Sequence, residues 1–362
     1  MRNSLTDCRC RSGPTVSASK YAYSVARVRA KRAFMLKPED YETLLRAPNI
    51  HQALAHLRLI SDLGRDIPQT EDVYEIEKHL ANKFVEILGT LIESVTWRPS
   101  RDFLELILAK YEYETLKALL KAKFLGMPEN EAMLMTPPLG RYGGTMYTSL
   151  LSAKNVDQAV DLVPEAELKP ILVEALREAG TLKSPLPIEA AMDKWLYTRL
   201  WGRVVNLGGD DKKWARHLLG IEVDIKNILT LVRGKFLGLQ PSIIEKILLP
   251  LCYKLPSDLK NLASQPLSSM LQAIAASYYG KAVSPLARDA VEVEKALEML
   301  WIKENEDVFL HYPFTLGLIY AYVNLKYVEL RDLRAILFSK LMNLPLQKTL
   351  ALITRHREKL SL

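Results

Sequence analysis

Apolar side chains recur along this chain at helical spacing, and the same run recurs three times. Three stretches near 120–128, 232–241 and 337–345 read "LKAKFLGMP", "VRGKFLGLQP" and "LFSKLMNLP". Aligned on Lys123, Lys235 and Lys340, the apolar positions fall together going backwards. Tyr113, Ile225 and Leu330 match, as do Leu116, Ile228 and Leu333. Leu119, Leu231 and Ile336 follow, then Leu120, Val232 and Leu337, with Phe124, Phe236 and Leu341 after the break of the lysine. This stepping predicts one buried face of a long α-helix. Gly126, Gly238 and Asn343 then align, residue types that accept the left-handed conformation just past a helix end. An apolar residue comes next each time, Met127, Leu239 and Leu344, and a proline follows within two residues at Pro128, Pro241 and Pro345. Proline cannot continue the old helix but fits the first turn of a new one.

A second element repeats as well. "LLRAPNIHQAL" at 44–54 aligns with "LLSAKNVDQAV" at 150–160, and more weakly with "LASQPLSSML" at 262–271. Each reads as a helix end, a short break and an amphipathic helix. The pattern predicts an all-α chain built by triplication. The expected units are 21–128, 129–240 and 241–362, preceded by a disordered or atypical extension over 1–20. Residues 136–145 and 182–188, rich in Gly and Pro, read as turns or linkers. No alternating strand pattern of useful length is present.

Charge changes the picture only at the front. The net charge is +7, but residues 1–37 carry nine Lys/Arg against Asp7 alone. The remaining residues hold 40 basic and 41 acidic side chains. A nucleic-acid binder needs a basic stripe across its fold, so no nucleic-acid partner is expected. The run Arg27, Arg29, Lys31 and Arg32 could face anionic lipid headgroups or acidic partner loops; a solvated helix face is the plainer reading. Three cysteines, Cys8, Cys10 and Cys252, are too few and odd in number for a disulfide framework, which suggests a reducing compartment. "YPFTLGLIYAYVNL" at 312–325 is too short to span a bilayer and reads as a buried core helix. Residues 1–20 lack a continuous apolar run and are not read as a secretory signal.

Chemistry-bearing motifs are missing. There is no phosphate-binding G-x-x-x-x-G-K-[ST], no G-x-G-x-x-G, no nucleophile elbow and no H-E-x-x-H. "GRYGG" at 140–144 reads as a glycine turn. His51, His56, His79, His217, His311 and His356 have no second ligand at metal spacing and read as surface or satisfied core histidines. Asp210 and Asp211 read as a solvated helix start, where acids are favoured. No catalytic, cofactor-binding or metal-ligating residue is nominated, and no cofactor is expected.

Several segments resemble a known family. "YAYSVARVRA" at 21–30, "EDYETLLRAPNIHQAL" at 39–54, "KYEYETLKALLKAK" at 110–123, "EVDIKNILTLVRGKFLG" at 222–238 and "YPFTLGLIYAYVNLKYVELRDLRAI" at 312–336 resemble the C subunit of archaeal and bacterial A/V-type rotary ATPases. The eukaryotic equivalent is the d subunit. The resemblance runs from about Tyr21 to the C-terminus. It implies an all-helical, funnel-shaped protein of three similar domains about a pseudo-threefold axis. It further implies a non-catalytic central-stalk component, peripheral on the cytoplasmic face of the membrane. Such a component seats the axle, made of the D and F subunits, on the proteolipid ring and transmits torque, with ATP chemistry in the A and B subunits. Two other readings make different expectations. A helical adaptor outside a rotary motor would show a long open groove, and a helical enzyme would show a deep pocket with clustered titratable groups.

Overall fold

A computed structural model describes residues 14–360 other than Pro137. Among these residues the secondary structure is helical, with no strand. The first part of the chain comprises α1 (Pro14–Arg32), α2 (Pro38–Arg46), α3 (Ile50–Ile60), α4 (Val73–Glu93) and α5 (Arg98–Phe124). Then come α6 (Glu129–Met135), α7 (Gly144–Leu151), α8 (Val156–Asp161), α9 (Lys169–Leu182), α10 (Leu186–Val205) and α11 (Gly209–Phe236). The last part holds α12 (Pro241–Ile247), α13 (Leu259–Ser264), α14 (Leu267–Ala275), α15 (Ala290–Asp307), α16 (Leu316–Leu341) and α17 (Leu346–Leu352). Helix α1 begins at Pro14, so the helix takes in residues 14–20, which the sequence places in an extension; residues 1–13 of that extension lie outside the described residues.

The three aligned helices are α5, α11 and α16, and their ends are the same structure. Gly126, Gly238 and Asn343 have φ of 65°, 69° and 50°. The amide of the next residue reaches back to the last turn in each: Met127 to the Ala122 carbonyl at 3.0 Å, Leu239 to Gly234 at 2.9 Å and Leu344 to Ser339 at 2.8 Å. This is the Schellman closure that a left-handed residue followed by an apolar one encodes. A seven-residue helix follows each time, α6, α12 and α17. The four aligned apolar triples before the lysine are buried in every copy. The fifth, Phe124, Phe236 and Leu341, sits nearer the surface at the helix end, where the packed face runs out.

The second repeat also holds. Asn49 caps α3 by accepting the Gln52 amide at 3.0 Å, and Asn155 caps α8 through Gln158 at 2.9 Å. These short polar side chains satisfy donors that a helix start leaves open. The weaker third copy enters α14 from Pro266, without a side-chain cap.

Each long helix packs beyond its own stretch of sequence. Helix α5 packs on α10, α11 packs on α15, and α16 packs on α4. The last helix therefore returns to the first part of the chain. Residues 316–325 of α16 are buried throughout, but the apolar run read as a core helix over 312–325 begins outside it: residues 312–315 precede the helix and Tyr312 is exposed. Helix α1 lies along α16 and α4. Its cations do not share a face. Arg27 donates to the Tyr23 hydroxyl at 3.1 Å, Arg29 is exposed, and Arg32 stacks 4.0 Å from the Phe309 ring centre. Burial lowers the Lys31 pKa, with Asp62 opposing.

Candidate functional site

The N-terminal ends of the long helices meet at one point. The Tyr21 hydroxyl of α1 donates to Asp211 of α11 at 2.7 Å and lies 2.6 Å from the Ser100 hydroxyl of α5. The other Asp211 oxygen accepts the Leu316 amide, the first of α16, at 2.8 Å. Burial, reinforced by Asp211, holds the Tyr21 hydroxyl well above the ordinary tyrosine pKa. Asp211 is thus not the solvated helix-start acid that its Gly and Lys neighbours suggest; it ties three helices together. One turn further, Phe103 and Tyr320 meet edge to face at 5.2 Å. Gly317 lies against Trp214 so closely that a methyl group there would stand 2.5 Å from the indole side chain.

Beyond this contact, the helices part around a cavity of about 370 Å³. Lys110 of α5, Glu222 of α11 and Tyr327 of α16 line it, and these three positions are equivalent in the repeat. Glu114, Lys226 and Arg331, a second equivalent triple, line it too. Helices α10 and α15 complete the wall with Tyr197, Glu298 and Trp301.

The charges here are paired within the chain. Lys110 contacts Glu222 at 2.7 Å, and the Tyr197 hydroxyl donates to the same carboxylate at 2.6 Å. Burial pulls the Lys110 ammonium below the usual lysine range, while Glu222 opposes the shift. Lys117 bridges Glu114 at 2.8 Å and Asp193 at 3.0 Å, and Lys226 reaches Asp193 at 3.1 Å. Burial would raise the Asp193 carboxyl, but Lys226 and Lys117 outweigh it and bring its pKa down to about 2. Arg331 pairs with Glu298 at 2.7 Å. Aromatic rings back the cavity, with Tyr111 stacked 3.9 Å from Tyr327.

A third set of equivalent residues is not evident from the sequence. Glu112, Asp224 and Glu329 stand eleven residues before the shared lysine, and all three are buried. Each anchors returning chain. Glu112 accepts the Arg141 amide at 3.1 Å and its guanidinium at 2.7 Å. Asp224 accepts the amides of Tyr253, Lys254 and Leu255 within 2.6–2.9 Å. Glu329 accepts the Leu36 amide at 2.8 Å. The available signal is an acid on an otherwise apolar face, repeated at one offset. The glycine turn at 140–144 belongs to this arrangement. Gly140, at φ 57°, lies over Glu112, and a methyl group there would fall 2.0 Å from the carboxylate.

The histidines do not assemble. His217 lies 2.8 Å from Glu304, His79 sits 2.9 Å from the Arg65 carbonyl, and His356 donates to the Leu36 carbonyl at 3.2 Å. Burial and Arg355 push the His356 pKa down to about 4, which keeps the ring neutral. Cys252 is a half-buried free thiol whose pKa burial raises to about 11. Cys8 and Cys10 lie outside the described residues. Among the described residues, no cluster of His, Cys, Asp or Glu could hold a metal ion, and no helix is long and apolar enough to cross a membrane.

The chain is thus a repeated all-α protein, with matching positions of its long helices turned onto one cavity. Residues 24–351 match the family model described as ATP synthase (C/AC39) subunit, and the chain belongs to this family of A/V-type ATP synthase components. It is 23% identical over 344 residues to the C subunit of the A-type ATP synthase of Methanocaldococcus jannaschii, covering 91% of this chain and 85% of that one. To the C subunit of the Methanococcoides burtonii A-type ATP synthase it is 26% identical over 335 residues, covering 91% and 92%. The corresponding protein of Methanothermobacter thermautotrophicus is 26% identical over 341 residues, covering 90% and 86%.

Proposed function

We propose that this chain is the non-catalytic central-stalk adaptor of its complex. Three units, 21–128, 129–240 and 241–362, close about a common axis in a funnel. The mouth seats the D and F axle, and the other end rests on the proteolipid ring at the cytoplasmic face of the membrane. The chain turns with both and passes torque between them. The observation that carries this reading is the cavity lined by two full triples of equivalent residues, Lys110, Glu222, Tyr327 and Glu114, Lys226, Arg331. Equivalent positions of three helices converge on one space when the helices are related by rotation about it.

Two further observations support it. Packing of α5 on α10, of α11 on α15 and of α16 on α4 supports a cyclic order of the three units. Close-packed helices exchanged between neighbours transmit strain rather than flex. Tyr21, Asp211 and Leu316 draw the N-terminal ends of the helices together on one side of the cavity, so an axle tip would enter from the opposite side. The charges it meets there already have partners in the chain. Such a lining gives polar contact without demanding a specific counter-charge from the axle.

Reconstitution without this chain tests the reading. The soluble head should keep hydrolysing ATP while ion movement driven by that hydrolysis disappears. Ion movement that persists at full rate would overturn the adaptor role.

A further inference from the structure

We propose that the end where α5, α11 and α16 begin is a lipid-facing surface that docks on anionic headgroups. The proposal rests on the reading above, in which the cavity side takes the axle and this end faces the membrane. It adds the surface, its residues and the chemistry of what it meets.

The apolar members of this surface come from all three approaches to the long helices. Trp97 is the residue before α5, Val205 lies three residues before the cap of α11, and Leu310 and Tyr312 precede α16. They are 44%, 59%, 82% and 44% exposed. Trp97 is moreover the N-cap of α5, where Asp, Asn or Ser would serve the helix start better. Cations stand among them. Lys20 sits 4.1 Å over the Trp97 ring, Arg98 is exposed at the first turn of α5, and Lys213 is exposed at the first turn of α11. Asp210 is the exposed carboxylate of the same turn.

Trp and Tyr beside Lys and Arg, with aliphatic side chains between, are the mixture that settles at the headgroup level of a bilayer. The rings sit among glycerol and carbonyl groups while the cations reach phosphates. The surface is shallow, so it rests on the membrane and does not enter it. The opposite end of the same helices is built differently. Leu125, Leu237 and Met342 are exposed there, but the neighbouring cations are engaged inside the chain. Lys123 donates to the Ala153 carbonyl at 2.9 Å, Lys340 to Ala47 at 2.6 Å, and Arg233 pairs with Glu294 at 2.6 Å. Lys235, half-buried beside Leu237, is the cation of the three repeat lysines that no such bond engages, so that end offers fewer cations for phosphate.

The test is co-sedimentation of the full chain with vesicles of phosphatidylglycerol and phosphatidylcholine, against vesicles of phosphatidylcholine alone. Wild type should sediment with the anionic vesicles only, and less so as salt rises. A K20E/R98E/K213E variant should partition about 100-fold more weakly, since each surface cation contributes roughly fivefold. L310S/Y312S should lose binding without a change of charge, and L125S/L237S/M342S should keep it. Circular dichroism confirms that each variant retains its helix content. No binding of wild type to anionic vesicles, equal binding to both vesicle types, or loss confined to the Leu125/Leu237/Met342 variant would overturn the proposal. Detergent-purified proteolipid ring, freed of lipid, separates the two readings. A chain that holds the ring through this end but ignores vesicles disproves the lipid surface and leaves the adaptor standing. A chain that holds neither ring nor axle disproves the adaptor as well.

Discussion

The seam between α5 and α10 and the seam between α16 and the first part of the chain are both closed by buried charge, but by opposite means. At the α5 seam, Asp193 sits between two ammonium groups, Lys117 and Lys226, whose attraction keeps it ionised. At the α16 seam, Asp332 is fully buried and is held by neutral donors, the amides of Thr354 and Arg355 at 3.0 and 2.9 Å and the Tyr41 hydroxyl at 3.2 Å. Burial raises its pKa to about 6 despite those amides. Close by, Lys326 is sealed from solvent against Asp62 and Glu329, the latter at 2.6 Å. Each closure is vulnerable to a different change. Coulomb pairing at a partly wet seam tolerates loss of one partner, because another cation remains. A sealed cluster tolerates it less, because Glu329 is left fully buried with only Arg355, 3.7 Å away, as counter-charge.

The largest expected effect follows directly. Lys326→Ala leaves the buried Glu329 and the half-buried Asp62 without the ammonium between them and should destabilise the chain by about 3 kcal/mol in urea unfolding. Lys117→Ala leaves Lys226 beside Asp193 and should cost clearly less. Equal losses would erase the distinction between the seams.

The pH dependence should carry opposite signs at the two places. Asp332 has a folded pKa raised above its unfolded value near 4, so the native state binds the proton more tightly. Stability from this group is present in acid and falls as pH rises from about 4 to 6, by roughly 3 kcal/mol. Asp193 has a depressed pKa, so its contribution is present above about 4 and falls as pH drops toward 2. Its carboxylate keeps some solvent contact, so the change is smaller. Hydrogen exchange along α16 and α5 across pH 3–7 resolves the two, and slopes of the same sign at both helices would contradict the assignment.

The smallest effect concerns the lysine shared by the repeats. Lys123→Met and Lys340→Met each remove a hydrogen bond to a helix-end carbonyl and should cost about 1 kcal/mol. Lys235→Met, at the half-buried equivalent position of α11 where no such hydrogen bond forms, should be nearly neutral. Three equal losses would mean that the repeats are more alike in solution than their contacts.

How much of this could be read in the sequence depended on distance along the chain. The helix ends were legible because a left-handed residue, an apolar residue and a proline act within six residues of one another. The buried face of each long helix was legible because periodicity is local. Asp211 is misleading in the sequence because its partners, Tyr21 and Leu316, are 190 and 105 residues away, and its immediate neighbours describe a solvated turn. Glu112, Asp224 and Glu329 escape notice because an acid inside an apolar face reads as noise until the returning backbone that it binds is known. The convergence of Lys110, Glu222 and Tyr327 on one cavity was present in the repeat offsets. The offsets give equivalence, however, and only packing gives the shared space.

The proposed seating of the axle in this cavity is open to a direct test. A photo-crosslinking amino acid at Leu229, on the cavity wall, tests it in the assembled complex, with Leu286, which is 84% exposed and does not line the cavity, as the reference position. The account predicts a crosslink to the D or F protein of the axle from position 229 and none from position 286. An assembled complex with no axle crosslink from 229, or equal yields from both positions, would contradict it.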